Sequence, residues 1–343
     1  MTIQSCPVEV LDKIFESTAY SDPENAQATL YSLMLTCSHF RTIAKRHFIR
    51  IVCLPSAEMV NSFASYLKNV VKSGEYGKGV LPIQHLAVAG NYRIPQGLSF
   101  RNRSDAEVEA ERIVPFIITT AAPSLLTLTI VGVDSDFLDV DPQEIPYVPN
   151  GTTFPNLRDL IALEQHVVPL LYGIPDTRAS QLTVSLLYGI PDTQASQLTY
   201  PSLRRLYISG DPRISLHSTL PYLEDLRLDM LDQELLGSLP GELEHVRSLI
   251  IDAPGYYSFI FIGCIGLPQS RDEYTSKISK YQTLIDKVGN PERNGIVIPV
   301  DGFTNYINRV RILSAWADAV VGGVGCWSPE WVPTILWSGR HEE

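Results

Sequence analysis

The chain has 343 residues, enough for a sizeable core and about two domains by length alone. Its composition, 45% apolar and 19% charged with 24 prolines, is that of an ordinary soluble globular protein, and its net charge of −11 argues against a nucleic-acid or anionic-membrane surface. The charge is uneven: residues 1–54 carry five acids and five bases, so the whole surplus lies after residue 54, a first sign of two parts.

From the N-terminus, "CPVEVLDKIFEST" places Pro7 at a first-turn position with Glu9 near the positive helix end. Val10, Leu11, Ile14 and Phe15 fall at i, i+1, i+4 and i+5, one apolar stripe of a helix. "AYSDPENAQ" reads as a polar loop. In the next stretch Leu30, Leu33, Met34 and Cys37 keep helical spacing, and Phe40, Ile43, Ala44 and His47–Phe48 begin another helix. "RIVCL" then predicts a strand. Helices this short bury little apolar surface alone and must pack on the rest of the chain or on a partner.

The order Pro7-x-Glu9-x-Leu11-x-x-Ile14-Phe15, followed by Leu33-x-Leu35-x-Cys37-Ser38-x-Phe40, resembles an F-box over roughly residues 3–50. The sequence departs from that family's pattern at Cys6, where leucine is usual, at Ser38, where arginine is common, and at Phe40, where tryptophan is usual. Its loop at 17–28 is also longer than minimal. The resemblance implies a helical unit that docks by an apolar face onto the Skp-type adaptor of SCF ubiquitin ligases. Carried onto this sequence, it makes Pro7, Val8, Leu11, Ile14, Phe15, Leu33, Met34, Phe40 and Ile43 the adaptor contacts. The alternative reading is that these helices simply cap the next domain.

After residue 54 another pattern recurs, apolar-x-x-apolar-x-apolar: Ile83–Leu86–Val88, Leu125–Leu128–Ile130, Leu157–Leu160–Ala162, Leu203–Leu206–Ile208, Leu223–Leu226–Leu228 and Val246–Leu249–Ile251. This is the strand core of a leucine-rich repeat, and the last two intervals, 20 and 23 residues, suit that class. Proline leads four of the six, as in "APSL", "FPNL", "YPSL" and "LPYL". Helices belong between the strands. Ser56 caps one whose face is Met59, Val60, Phe63, Tyr66 and Leu67, and Ser104 with Glu107 forms a capping box for another, which Pro115 kinks or ends. The asparagine usual three residues past the last strand leucine occurs once, as Asn91, which predicts uneven turns. The expected fold is therefore α/β: a short helical F-box at 1–54, then an irregular leucine-rich-repeat-like α/β solenoid at 55–343. F-box plus degenerate repeats is similar to a large group of fungal F-box proteins, and "GGVGCW" at Gly322–Trp327, after the helix-like "YINRVRILSAWADAV", resembles an ending common among them.

Val168–Thr183 and Val184–Thr199 match at 14 of 16 positions. Strand cores begin at 125, 157 and 203, so removing one 16-residue copy turns an interval of 46 into 30, close to the 32 before it. Sixteen residues is also too short for a leucine-rich repeat. The echo therefore reads as a tolerated insertion in a loop punctuated by glycine and proline. Extension of a recognition surface is the competing idea.

Residue patterns that carry chemistry are few. The cysteines at 6, 37, 53, 264 and 326 are odd in number and form no Cys-x-x-Cys, which speaks against a disulfide framework, a zinc ribbon or a RING-type site and predicts reduced thiols. Gly77-Lys78 lacks the serine or threonine and the earlier glycine of a phosphate loop. Asp134–Asp141, "DSDFLDVD", lacks the glycine and spacing of a calcium loop. No catalytic motif is present, and the seven histidines are scattered. No signal peptide is read, and the longest apolar run, Tyr256–Leu267, has 12 residues against the ~20 of a spanning helix. It reads as a buried strand.

The expectation is a non-enzymatic protein of the cytoplasm or nucleus, with no cofactor, no metal, no nucleic acid and no membrane among its partners. It would be a substrate receptor of an SCF-type ligase, holding a Skp-type adaptor at one end and a target protein on the solenoid. The rival is an interaction scaffold that engages no ligase.

Overall fold

The computed structural model describes residues 6–74, 81–89, 105–131, 152–163, 200–209, 220–229, 246–254, 279, 283, 294–300, 309–328 and 330–331. The duplication at 168–199 lies outside the described residues, as do Asn91, Lys78, Asp134–Asp141, Tyr256–Leu267 and Ser104.

Three helices open the chain: α1 (Val8–Ser21), α2 (Ala26–Thr36) and α3 (Ser38–Phe48). Pro7 stands just before the first helical residue rather than in the first turn, and its carbonyl accepts from the amides of Val10 and Leu11. The predicted loop is mostly helix. α1 continues through Ser21 because Ala19 is buried on the same stripe as Leu11 and Phe15, and only Asp22–Asn25 connect to α2. Cys37, extended between α2 and α3, caps the latter: its sulfur accepts from the Phe40 amide at 3.4 Å.

Strand β1 (Ile51–Leu54) comes next, then α4 (Ala57–Ser73), β2 (His85–Ala89), α5 (Asp105–Ala121), β3 (Thr127–Val131), β4 (Asp159–Leu163), β5 (Arg205–Ser209), β6 (Asp225–Asp229), β7 (Ser248–Pro254), β8 (Asn294–Val300) and α6 (Arg309–Val320). The eight strands form one parallel sheet whose order tracks the chain without reversal. Each of the six sequence repeats places its last two apolar positions within a strand, β2 to β7, in register with the next. β8, "NGIVIPV", was not expected. It lacks the lead and spacing of the others, so only its β-branched run could have marked it.

Inside the first helix–sheet layer, Val60, Phe63, Leu67 and Val70 of α4 and Ile113, Val114, Ile117 and Ile118 of α5 share a buried cluster with Leu86, Val88, Leu128, Leu160, Leu206 and Leu226. Ser56 caps α4 as expected, its hydroxyl accepting from the Met59 amide, but Met59 itself is exposed. Pro115 does not end α5. A proline inside a helix costs roughly 3 kcal/mol. The four apolar side chains that α5 buries around it each contribute roughly 1.5–3 kcal/mol, so packing wins.

The turns before the strands are regular, and the prolines explain why. Phe154, Tyr200 and Leu220 accept from the amides of Leu157, Leu203 and Leu223, forming β-turns with proline at the second position. The third position then ties one turn to the last: Ser124 donates to Leu81 and Ile83 carbonyls, Asn156 to Pro123 (2.9 Å) and Ser202 to Pro155 (2.6 Å). This ladder stops at the next turn, where the third residue is Tyr222, 64% exposed. In five of the six repeats the position three residues past the last strand apolar residue, where the asparagine of the repeat pattern would stand, lies outside the described residues.

The second face of the sheet is covered too over β1 to β5. α1–α3 and α6 pack on β1 and β2 through Ile51, Cys53, Ala87 and Ala89, while α6 also packs toward β3–β5 through Val131, Ile161, Leu163 and Tyr207. The alternation within each strand fits this, one row to each layer.

A candidate protein-docking face

Helix α1 carries two adjacent stripes. Leu11, Phe15 and Ala19 turn inward and are at most 2% exposed, whereas Pro7, Val8, Val10 and Ile14 are exposed, the last three at 40–43%. Helix α2 divides similarly. Ala26 and Leu30 are buried, Leu33 and Met34 are half-buried, and Tyr31 and Leu35 stand 54% and 62% exposed. Phe40 and Ile43 of α3 are interior, Phe40 edge-on to Phe15 with ring centroids 5.2 Å apart.

The nine expected contact residues therefore separate. Leu11, Phe15, Phe40 and Ile43 are spent in the chain's own core, because without them α1 and α3 would have little beyond Ala19, Ala44 and Phe48 to lay on the sheet. Their interior placement leaves them almost no exposed surface for a contact. Pro7, Val8 and Ile14 face outward, with Leu33 and Met34 at the margin. Sequence reasoning did not assign Val10, Tyr31 and Leu35 to the face. For Tyr31 and Leu35 the four-residue spacing was visible, but α2 is apolar on both sides and periodicity could not choose between them.

Polar contacts hold this unit in place. Asp12 and Glu16, one turn apart on α1, reach His47 Nε2 and Arg50, both at 2.9 Å. Tyr20 donates to Gln84 Oε1 at 3.1 Å and sets its ring edge-on to His85. His85 Nδ1 lies 3.1 Å from the Thr127 hydroxyl, whose oxygen also accepts from the Trp316 indole at 3.2 Å. Burial pushes the His85 imidazole down to about 4, so it sits neutral in this chain of contacts.

At the other end a second polar centre fixes the C-terminal segment. Arg227 and Asp252, on β6 and β7, are both 0% exposed and paired through two hydrogen bonds, from Nε at 2.7 Å and Nη2 at 2.6 Å. The Tyr207 hydroxyl donates to the same carboxylate at 3.0 Å. The rest of the guanidinium donates to the carbonyls of Cys326, Ser328 and Trp331, and its carbon stands 5.2 Å from the Tyr207 ring and 4.8 Å from the Trp331 ring. Beside it, Arg205 pairs with Asp159 and sits 5.6 Å from the Trp327 ring.

"GGVGCW" is the turn that delivers these groups. Gly322 (φ 93°) and Gly325 (φ 54°) are left-handed, a Cβ on Gly325 would come 2.6 Å from the Ala315 carbonyl, and one on Gly323 would collide with the Asp318 carboxylate. That carboxylate accepts from the Gly325 amide at 2.8 Å.

Burial perturbs two groups beside these arginines and the proline turns. The Cys326 thiol is pushed up to about 12, which keeps it protonated, and Tyr200 is raised as well. Among the described residues no three His, Cys, Asp or Glu side chains are grouped to hold a metal, and no helix is long and apolar enough to cross a membrane. The arrangement offers an apolar surface on a stiff base. Comparison with known proteins returns no matching family model, no matching curated protein and no matching solved structure.

Proposed function

We propose that the chain is the substrate receptor of an SCF-type ubiquitin ligase: α1–α3 act as an F-box that holds a Skp-type adaptor, and the repeats after them form a leucine-rich-repeat-like solenoid that holds a target protein. The observation that carries this reading is the outward stripe Pro7, Val8, Val10 and Ile14 with Tyr31 and Leu35, six apolar side chains left uncovered on helices whose sequence resembles an F-box. Unbroken sequential strand order suits a solenoid, since a doubly wound sheet reverses direction. The protein itself performs no bond chemistry. It raises the local concentration of a target beside the transferring enzyme.

The interior placement of Leu11, Phe15, Phe40 and Ile43 favours the second reading, in which these helices chiefly cap the sheet of an interaction scaffold. Co-purification separates the two. The full chain should form a stable complex with a Skp-type adaptor, and an Ile14→Asp/Leu35→Asp variant, altered only at exposed positions, should lose it while keeping its thermal unfolding midpoint. Absence of a complex with the unaltered chain removes the ligase reading.

A further inference from the structure

Helix α6 is shared between two buried clusters. Leu313, Trp316 and Val320 belong to the one that holds Leu11, Phe15, Phe40 and Ile43 of the docking helices. Ile312 and Ala315, with Cys326, belong to the one formed by Val131, Ile161, Leu163 and Tyr207 of the sheet. The polar contacts run the same way: Tyr20 of α1 meets His85, His85 meets Thr127, and Thr127 receives the Trp316 indole. α6 is held in turn by the turn and segment at its C-terminal end. Asp318 and the glycines close the turn, and Arg227 grips three carbonyls between Cys326 and Trp331.

α1–α3 and α6 thus complete one core. The docking helices span Val8–Phe48 and are too small to hold Leu11 and Phe15 dry alone. Part of the cover comes from β1 and β2, and part from residues some 300 positions later in the chain.

We propose that the docking helices become competent for the adaptor only when the segment Arg309–Trp331 is seated on the sheet, so that docking reports a chain folded through Trp331. This regulation rests on the docking face proposed above. A receptor lacking or damaged in residues 309–331 would keep the F-box-like sequence but not its rigid surface, and would not be loaded onto a ligase.

The test uses two full-length variants. Trp316→Ala removes the contact directly. Arg227→Met loosens the far end of the segment and touches none of the docking helices. Hydrogen exchange is read separately for amides of α1–α3 and of α4–α5, and adaptor capture is measured alongside. Both variants should speed exchange in α1–α3 by roughly a hundredfold more than in α4–α5, and reduce capture at least tenfold. If Trp316→Ala does not fold, Leu313→Ala replaces it. Unchanged exchange in α1–α3, or a rise equal in α1–α3 and α4–α5, overturns the inference. Failure of the unaltered chain to capture the adaptor removes the ligase reading instead, and the exchange pattern still decides the coupling.

Discussion

Replacing Arg227 with methionine tests the energetics of the C-terminal clasp. The substitution keeps a long apolar stem and removes the guanidinium. Asp252, 0% exposed, then retains only the Tyr207 hydroxyl, and the carbonyls of Cys326, Ser328 and Trp331 lose their shared donor. Removing one partner of a buried pair costs about 3–5 kcal/mol, because the remaining charge is left in a poorly solvating site. Each orphaned carbonyl would add about 1 kcal/mol or more if it stayed buried, but the segment can lift and rehydrate, which limits the sum. We expect about 4 kcal/mol, large against a total stability of about 5–15 kcal/mol. With a urea slope of about 3 kcal/mol per M, the midpoint should fall by roughly 1.3 M. The double variant Arg227→Met/Asp252→Leu removes both charges and should recover about half of the loss, since the remainder is the missing grip on the carbonyls. Urea unfolding of the four species closes the cycle. A loss below about 1 kcal/mol in the single variant, or a double variant as unstable as the sum of the singles, would refute the reasoning.

Three further outcomes are expected. His85 titrates at about 4 when folded against about 6.5 when unfolded, so below pH 6.5 the unfolded chain gains a proton that the folded one refuses. Stability should therefore fall by about 3 kcal/mol between pH 6.5 and 4 and level off below, and His85→Gln should flatten the urea midpoints across that range. Gly325→Ala should cost about 2 kcal/mol or more in thermal unfolding, for its left-handed backbone and the nearby Ala315 carbonyl. Gly74→Ala, equally left-handed but with open space around it, should cost about 1 kcal/mol. Ser202→Ala and Asn156→Ala each cut one rung of the turn ladder and should lower stability by about 0.5–1 kcal/mol, whereas Tyr222→Ala, beyond the ladder, should cost less than either.

Much of the fold could be read from spacing, and the reason is physical. In a parallel sheet covered on both faces, each strand must bury alternate residues in one layer, and Leu203–Leu206–Ile208 or Leu223–Leu226–Leu228 can satisfy that only as strands. The proline that precedes them was legible as punctuation. The role of the serine or asparagine after it was not, since its acceptor is a carbonyl of the previous turn, 33 residues away for Asn156 and 47 for Ser202. Arg227 and Asp252 were invisible for the same reason. In sequence they are a charge on each of two strands, and only the register sets them together under Trp331.

The docking face shows where periodicity loses its power. On α1 the residues at 11, 15 and 19 and those at 7, 10 and 14 form neighbouring stripes, both apolar, and helical spacing assigns them to adjacent sides of one cylinder without saying which meets the sheet. The deciding factor is the small surface they must fit. Ala87 and Ala89 leave room on β2 for Leu11, Phe15 and Phe40, and Trp316 fills the remaining space. A residue some 300 positions away thus determines which apolar stripe of α1 is core and which is left for a partner. Leu11 and Ile14, three residues apart and nearly alike in chemistry, should therefore answer differently to the same change. Leu11→Asp should unfold the helical unit. Ile14→Asp should leave the thermal midpoint in place and act only on what the face can hold.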